Sequence, residues 1–188
     1  MATRTIAQTT GNSARIGNKG SAVYVLAELI NDLQAQLARV YGSNLITSPA
    51  AAIGTTPTDV ATGAFSFRIG GVTYAKAAVA AGTAPGNDVI PQSTYGAVAL
   101  DIGADGTLDA IEAAANAAGY ASAALAIAGL AAPAAGHVRV CTVTATKSDG
   151  AFTFGTTNLN AANSTVVYTN ATADTEVDTI VFKATGAP

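Results

Sequence analysis

The sequence predicts a mainly β protein, an antiparallel β-sandwich or barrel domain preceded by one N-terminal α-helix. Three observations predict this fold class. From residue 65 onward, apolar and polar residues alternate with a period of two, and turn sequences recur about every ten residues. Residues 23–41 instead have the apolar spacing of a helix. Residues 116–135 are rich in alanine and predict a short helix inserted between strands.

The composition is poor in charge and rich in small residues. Of the 188 residues, 49% are hydrophobic and only 11% are charged, against a typical share of about a quarter. A surface of alanine, threonine, serine and asparagine is typical of a protein that covers much of itself with neighbours in an assembly. The single cysteine, Cys141, excludes an internal disulfide.

Residues 1–20 form a polar, glycine-rich segment without apolar period, and they predict a flexible basic arm. Arg4, Arg15 and Lys19 lie in this arm, and no acidic residue accompanies them. Such an arm can dock on an acidic protein surface or on nucleic acid, or it can be a solvated tail. No apolar stretch typical of a signal peptide is present in it.

Residues 21–42 predict an oligomerisation helix, because their apolar residues are spaced alternately by three and four positions. Ser21 is suited to cap its start and Gly42 to end it. The seam of this helix consists of Val23, Leu26, Ile30, Leu33, Leu37 and Val40.

The positions that flank this seam carry no charge, which indicates a wide neutral face enclosed on more than one side. This neutral face can be buried in two ways. The helix packs on its own domain, as most amphipathic helices do, or it meets copies of itself around an axis, for which we expect a trimer.

Residues 43–64 contain Pro49, Pro57 and several threonines and predict a linker to the β-rich domain, residues 65–188. The alternating stretches of that domain predict strands at residues 65–69, 72–78, 95–102, 108–114, 137–146, 151–154, 165–169 and 179–184. A short helix over residues 121–130 is favoured over a membrane span, because Gly119, Gly129 and Pro133 interrupt the uncharged stretch.

Residues 101–112 partly match a calcium-binding EF-hand loop. Asp101, Asp105, Gly106, Asp109 and Glu112 fall at loop positions that fit the motif. The third position is Gly103, however, and the preceding residues alternate as a strand instead of a helix. A hairpin through Asp105 and Gly106 explains the same residues, so we expect no metal here.

Catalytic groups are scarce. His137 is the only histidine, and it lies four residues from Cys141 on one predicted strand. That spacing places both on the same face, too far apart for direct contact. We predict a strand-edge role for His137 and a core position for Cys141, and no catalytic, cofactor or metal site.

Four stretches, FSFRIGGVTYAKAA, TYGAVALDIGADGTL, GYASAALAIAGL and GHVRVCTVTATKSDGAFTFGTTNL, span most of the β-rich domain. Together they resemble structural proteins of tailed-bacteriophage virions, in which a β-rich domain follows a short helical segment. The resemblance implies a capsid decoration, cement or head-fibre protein that is a homotrimer and binds the outside of the shell. Its partner would be the major capsid protein or a neighbouring virion protein, with neither nucleic acid nor membrane involved.

Two other classes of function stay open. A fibre or adhesin would recognise a host-surface glycan or receptor, although the chain has no Trp and few aromatic residues for sugar stacking. A virion-associated hydrolase would use paired carboxylates among Asp101, Asp105 and Asp109, which suggest no obvious cleft.

We predict that Leu33→Asp dissociates the oligomer. The substitution places a charge in the neutral seam, where burying an unpaired ion costs several kcal/mol. Light scattering at micromolar concentration is expected to show a trimer for the wild-type chain and a smaller species for the variant. A wild-type monomer would exclude the axial helix bundle.

Overall fold

The computed structural model describes residues 42–173 together with three earlier positions, Ile30, Leu33 and Leu37. The described part of the chain is mainly β, and its sheets are antiparallel. The basic arm, most of the predicted N-terminal helix and the predicted strand at residues 179–184 lie outside the described residues. So do the seam residues Val23, Leu26 and Val40.

Residues 42–173 contain twelve strands and one helix. In chain order they are β1 (Asn44–Leu45), β2 (Ala52–Ile53), β3 (Val60–Thr62), β4 (Phe65–Ile69), β5 (Val72–Lys76), β6 (Val79–Thr83), β7 (Val89–Ile90), β8 (Gly96–Gly103), β9 (Leu108–Glu112), α1 (Ala123–Ala128), β10 (His137–Lys147), β11 (Phe152–Thr153) and β12 (Ser164–Asn170).

These strands form four separate antiparallel sheets. The largest has the order β12-β10-β8-β9, two three-stranded sheets have the orders β1-β4-β5 and β2-β3-β6, and β11 pairs with β7. The described sheets do not close into a barrel, because each keeps two edge strands. The barrel alternative is therefore excluded for this part of the chain.

Residues 43–64, expected as a linker, contain β1, β2 and β3. Leu45 and Val60 are buried in the core, at 2% and 0% exposure. These strands have only two or three residues and stand among Pro and Thr. Such strands lack a recognisable alternation, which is why the sequence pattern indicates a linker here.

One hydrophobic core joins the β1-β4-β5 sheet to the four-stranded sheet. Phe65 and Phe67 alternate inward from β4, and the Phe67 ring stacks on Tyr74 with centroids 5.4 Å apart. Phe152 and Phe154 add an edge-to-face pair at 5.3 Å. The aromatic residues are few, but those in the core are large and buried, so they contribute much of its apolar area.

The eight residues of β8 are all buried, because both faces of this strand are covered. Val98, Leu100 and Ile102 face the main core. On the opposite face Ala97 packs with Ala113 and with Ala126 of α1. The small alanine side chains allow the helix to lie close against the sheet.

Two of the predicted turns are confirmed. Ile69 pairs directly with Val72, and the two glycines between them have φ of 57° and 83°, as a two-residue hairpin turn requires. Ile102 pairs with Leu108 across the turn that holds Asp105 and Gly106, so residues 101–112 are a hairpin.

The expectation that His137 and Cys141 share a face is wrong. The register of β10 against β8 shifts between Arg139 and Cys141. This β-bulge inserts one residue and reverses the alternation, so Cys141 pairs with Leu100 in the core while His137 lies on the opposite face. Cys141 is thus a core residue, as the sequence predicts.

Burial raises the pKa of the Cys141 thiol from its usual value of 9.0 to about 12. Burial also raises the pKa of the half-buried Tyr168. Both groups favour their protonated forms in the folded state, so their stabilising contribution is complete below about pH 9 and is lost as the pH rises toward 12.

We therefore predict that the free energy of unfolding falls by a few kcal/mol between about pH 8 and about pH 11. Urea titrations at a series of pH values measure this free energy for the wild type and for Cys141→Ala. It should fall less steeply with pH for the variant. At neutral pH, a thiol reagent should label Cys141 only after denaturant is added. Rapid labelling of the native chain would contradict the buried position.

Candidate functional site

Four polar side chains of the four-stranded sheet lie on its outer face, the face that carries α1. We call Asp101, Asp109, His137 and Arg139 the polar row. Asp101 lies directly opposite Arg139 on one side and Asp109 on the other. Because like charges in opposite positions of neighbouring strands are destabilising, the two acids require basic partners.

Arg139 supplies the partner of Asp101. Its Nε donates to Oδ1 at 2.9 Å and its Nη2 donates to Oδ2 at 3.2 Å, and the Asp101 side chain is only 2% exposed. Both carboxylate oxygens of Asp101 are therefore engaged in a two-point ion pair. Asp101 therefore has a structural role as the partner of Arg139.

His137 supplies the partner of Asp109, with Nε2 3.3 Å from Oδ2. The imidazole lies over Gly103, where a Cβ atom would stand 3.1 Å from Nε2 and 2.9 Å from the Asp105 carboxylate. A glycine at this position therefore leaves room for the histidine to reach across β8. Asp105 itself accepts from the Thr107 backbone N–H and hydroxyl, which lowers the pKa of its carboxyl.

The polar row contains two acids, a histidine and an arginine, and their pairing links the neighbouring strands β8, β9 and β10. Asp101 and Asp109, two of the three acids that could form paired carboxylates, each pair with a basic side chain of β10. Cys141 lies on the other face of the sheet and cannot act with His137.

Glu112, the last residue of the EF-hand match, is also engaged within the chain. Its Oε1 accepts the backbone N–H groups of Asn87 at 2.6 Å and Asp88 at 2.7 Å. Gly86, with φ of 99°, shapes the loop around this carboxylate, because a Cβ there would collide with it. Glu112 thus ties the loop before β7 to the sheet.

Asn116 is a structural residue that sequence reasoning missed. It is 1% exposed, and its Oδ1 accepts from the Ala97 N–H while its Nδ2 donates to the Ala97 carbonyl, each at 2.9 Å. The side chain thus pairs with β8 as another strand would. In the sequence, the only indication of this role is that Asn116 is a single polar residue within a run of alanines.

Residues 114–136 form a surface that we call the alanine-rich cap. It contains α1 and no charged residue. Leu125 is 54% and Ile127 is 40% exposed, and residues 131–136 are all exposed. The predicted helix at residues 121–130 is confirmed in position but shorter, since Ser122 caps it and Gly129 ends it.

The cap is fastened to the sheet at several points. Arg139 Nη2 donates to the Ala131 carbonyl at 2.6 Å, so the same guanidinium that pairs with Asp101 also holds the cap. Tyr95 and Tyr120 exchange two backbone hydrogen bonds, at 2.9 and 2.8 Å. The cap is therefore an exposed apolar surface on a well-anchored support.

The seam residues Ile30, Leu33 and Leu37 are helical where the structure describes them. Ile30 is 46% and Leu37 is 36% exposed, and Leu33 is half-buried. The arm residues Arg4, Arg15 and Lys19 lie outside the described residues, and their docking role stays a prediction.

Among the described residues, no group of three or more acidic, histidine or cysteine side chains is placed to hold a metal ion. Within the same residues, no helix has the length and apolar character to cross a membrane.

Comparisons with protein-family models, with curated proteins and with solved structures find no match for this chain.

We predict that Arg139→Met lowers the free energy of unfolding by about 3 kcal/mol, because it leaves the buried Asp101 carboxylate without a partner. Adding Asp101→Leu in the same chain should recover much of this loss, since an apolar pair of similar volume needs no counter-charge. Urea denaturation measures both.

Asp105→Asn serves as the matched control for this prediction. It removes an exposed carboxylate of the same hairpin and keeps one amide oxygen that can accept from the Thr107 backbone N–H, while its amide nitrogen can donate to the Thr107 hydroxyl. An Arg139→Met variant as stable as this control would show that the Asp101 carboxylate does not depend on Arg139 for its burial.

Proposed function

We propose that this protein is a non-enzymatic structural component of a tailed-bacteriophage virion. It binds the outside of the capsid as a homotrimeric decoration, cement or head-fibre protein. In this proposal the two sheets that share the main core form an antiparallel sandwich. The seam residues on the N-terminal helix associate three copies, and the basic arm with Arg4, Arg15 and Lys19 contacts the major capsid protein or a neighbouring virion protein.

The observation that carries the proposal is the alanine-rich cap. This segment of 23 consecutive residues has no charged side chain, and most of its residues other than Asn116 and Ala126 are exposed or half-buried. Such a surface suits contact with another protein, because little polar desolvation opposes its burial. Leu125 and Ile127 are the largest apolar side chains that it exposes. A lattice of shell subunits offers the extended surface that such a cap would cover.

The anchoring of the cap supports the same role. Arg139, Asn116 and the Tyr95–Tyr120 bridge hold the surface in place before any partner arrives. A surface that is already ordered loses less conformational entropy on binding than a flexible one. The polar groups of the sheet thus maintain the shape of an apolar contact surface.

The alternative of a glycan-binding fibre or adhesin receives less support. Sugar sites combine polar groups with exposed aromatic faces on which the ring stacks. Each aromatic side chain within residues 42–173 is buried or half-buried. The described surface therefore favours contact with protein.

The test is addition of the purified protein to empty shells of the phage that encodes it. Deleting residues 2–17 should leave a folded oligomer that no longer decorates the shells, because the arm is displayed in several copies at the base of the assembly. Leu125→Lys with Ile127→Lys should weaken decoration without unfolding the chain, since both side chains are exposed. Occupancy is measured by co-sedimentation.

Val89→Lys provides the matched control, because Val89 is an equally exposed valine outside the cap, at 50%. If deletion of the arm leaves occupancy unchanged while the cap variant abolishes it, the cap alone is the docking surface. If wild-type protein does not add to the shells, the proposed function is wrong.

A further inference from the structure

Within residues 42–173, no strand pairs with the outer edge of β12, and the strand itself has none of the sequence features that usually protect an edge. This strand, STVVYTN, has seven residues with no charge, no proline and no break in its register with β10. The opposite edge of the same sheet, β9, carries Asp109 and Glu112. Edge strands that are long, regular and uncharged are templates for pairing with another strand.

The register shows which backbone groups of β12 point outward. Ser148 donates to the Asn163 carbonyl and Ala171 donates to the Val140 carbonyl, one at each end of the ladder. Hydrogen-bonded positions alternate along an antiparallel pair. Thr165, Val167 and Thr169 therefore bond to β10, and the peptide groups of Val166 and Tyr168 point away from the sheet.

We propose that β12 pairs antiparallel with β12 of a second copy of this chain, across a two-fold axis at Val167. In this register Val167 faces its own counterpart, and Val166 faces Tyr168 of the other copy. The residues with outward-pointing peptide groups then meet each other, and each Val166–Tyr168 pair exchanges two backbone hydrogen bonds. The four-stranded sheets of the two copies become one continuous sheet.

The side chains of β12 are complementary to themselves in this register. Thr165 faces Thr169, Val166 faces Tyr168 and Ser164 faces Asn170, so small polar residues meet polar ones and β-branched residues meet apolar ones. No charged side chain opposes another. Val167, 50% exposed on one copy alone, would be covered by its counterpart, as an isologous interface requires.

This contact is separate from the helix seam and does not rest on the proposed function. An oligomer formed by the N-terminal helix would display several β12 edges, and two-fold pairing of these edges would link one oligomer to the next. The chain would then have two interfaces of different symmetry, one within each oligomer and one between oligomers.

Cysteine cross-linking of the full chain tests the register. Val167→Cys should form a disulfide-linked dimer on mild oxidation, because the Cα atoms of such a pair lie about 4.5 Å apart, within disulfide range. Thr165→Cys alone should not cross-link, since its counterpart lies about 13 Å along the strand. A mixture of Thr165→Cys and Thr169→Cys chains should cross-link again. The buried Cys141 leaves the wild-type background unreactive.

Val89→Cys is the matched control for random collisions, because its exposure also is 50%. The proposal is overturned if Val167→Cys dimerises no faster than this control. It is also overturned if Thr165→Cys cross-links by itself as fast as Val167→Cys, which would indicate a parallel or shifted pairing. Cross-linking of Val167→Cys that persists in a Leu33→Asp chain shows that the edge contact is independent of the helix seam.

Discussion

The rest of the described structure depends on the burial of β8 on both faces. An antiparallel strand is commonly covered on one face and solvated on the other, but the eight residues of β8 are all buried. Val98, Leu100 and Ile102 complete the main core, and Ala97 receives α1. The alanine-rich cap exists because this second face has to be covered.

Covering that face also buries a charge. Asp101 lies on the outer side of β8, and burial of a carboxylate is tolerated only where it is paired and hydrogen-bonded. Arg139 meets this requirement and at the same time binds the Ala131 carbonyl of the cap. The Arg139 guanidinium therefore neutralises the buried Asp101 carboxylate and also fixes the position of the exposed cap.

The distribution of charge gives the described surface two kinds of region. The charges of the polar row pair with one another, and Lys147 pairs with Asp149 in the turn after β10. The alanine-rich cap and the β12 edge carry none. Neutral regions that are held in place by the backbone and by paired charges suit repeated contacts in an assembly, because their burial requires little desolvation.

The spacing of apolar residues and the residue types in the turns were sufficient to predict most strands, the Gly70–Gly71 hairpin and the short helix near residue 125. These features depend on neighbours in the chain, and their residues alternate or repeat visibly. The core position of Cys141 also followed from its type, since a lone thiol without a basic partner is usually buried.

Only the tertiary structure decided where the polar groups point and what they bind. One inserted residue near Val140 reversed the faces of β10 and separated Cys141 from His137. Glu112 binds a loop some 25 positions earlier in the chain, Asn116 pairs with β8, and β1 to β3 join the core without an alternating pattern. These outcomes depend on contacts between residues distant in sequence, whose partners no local pattern specifies.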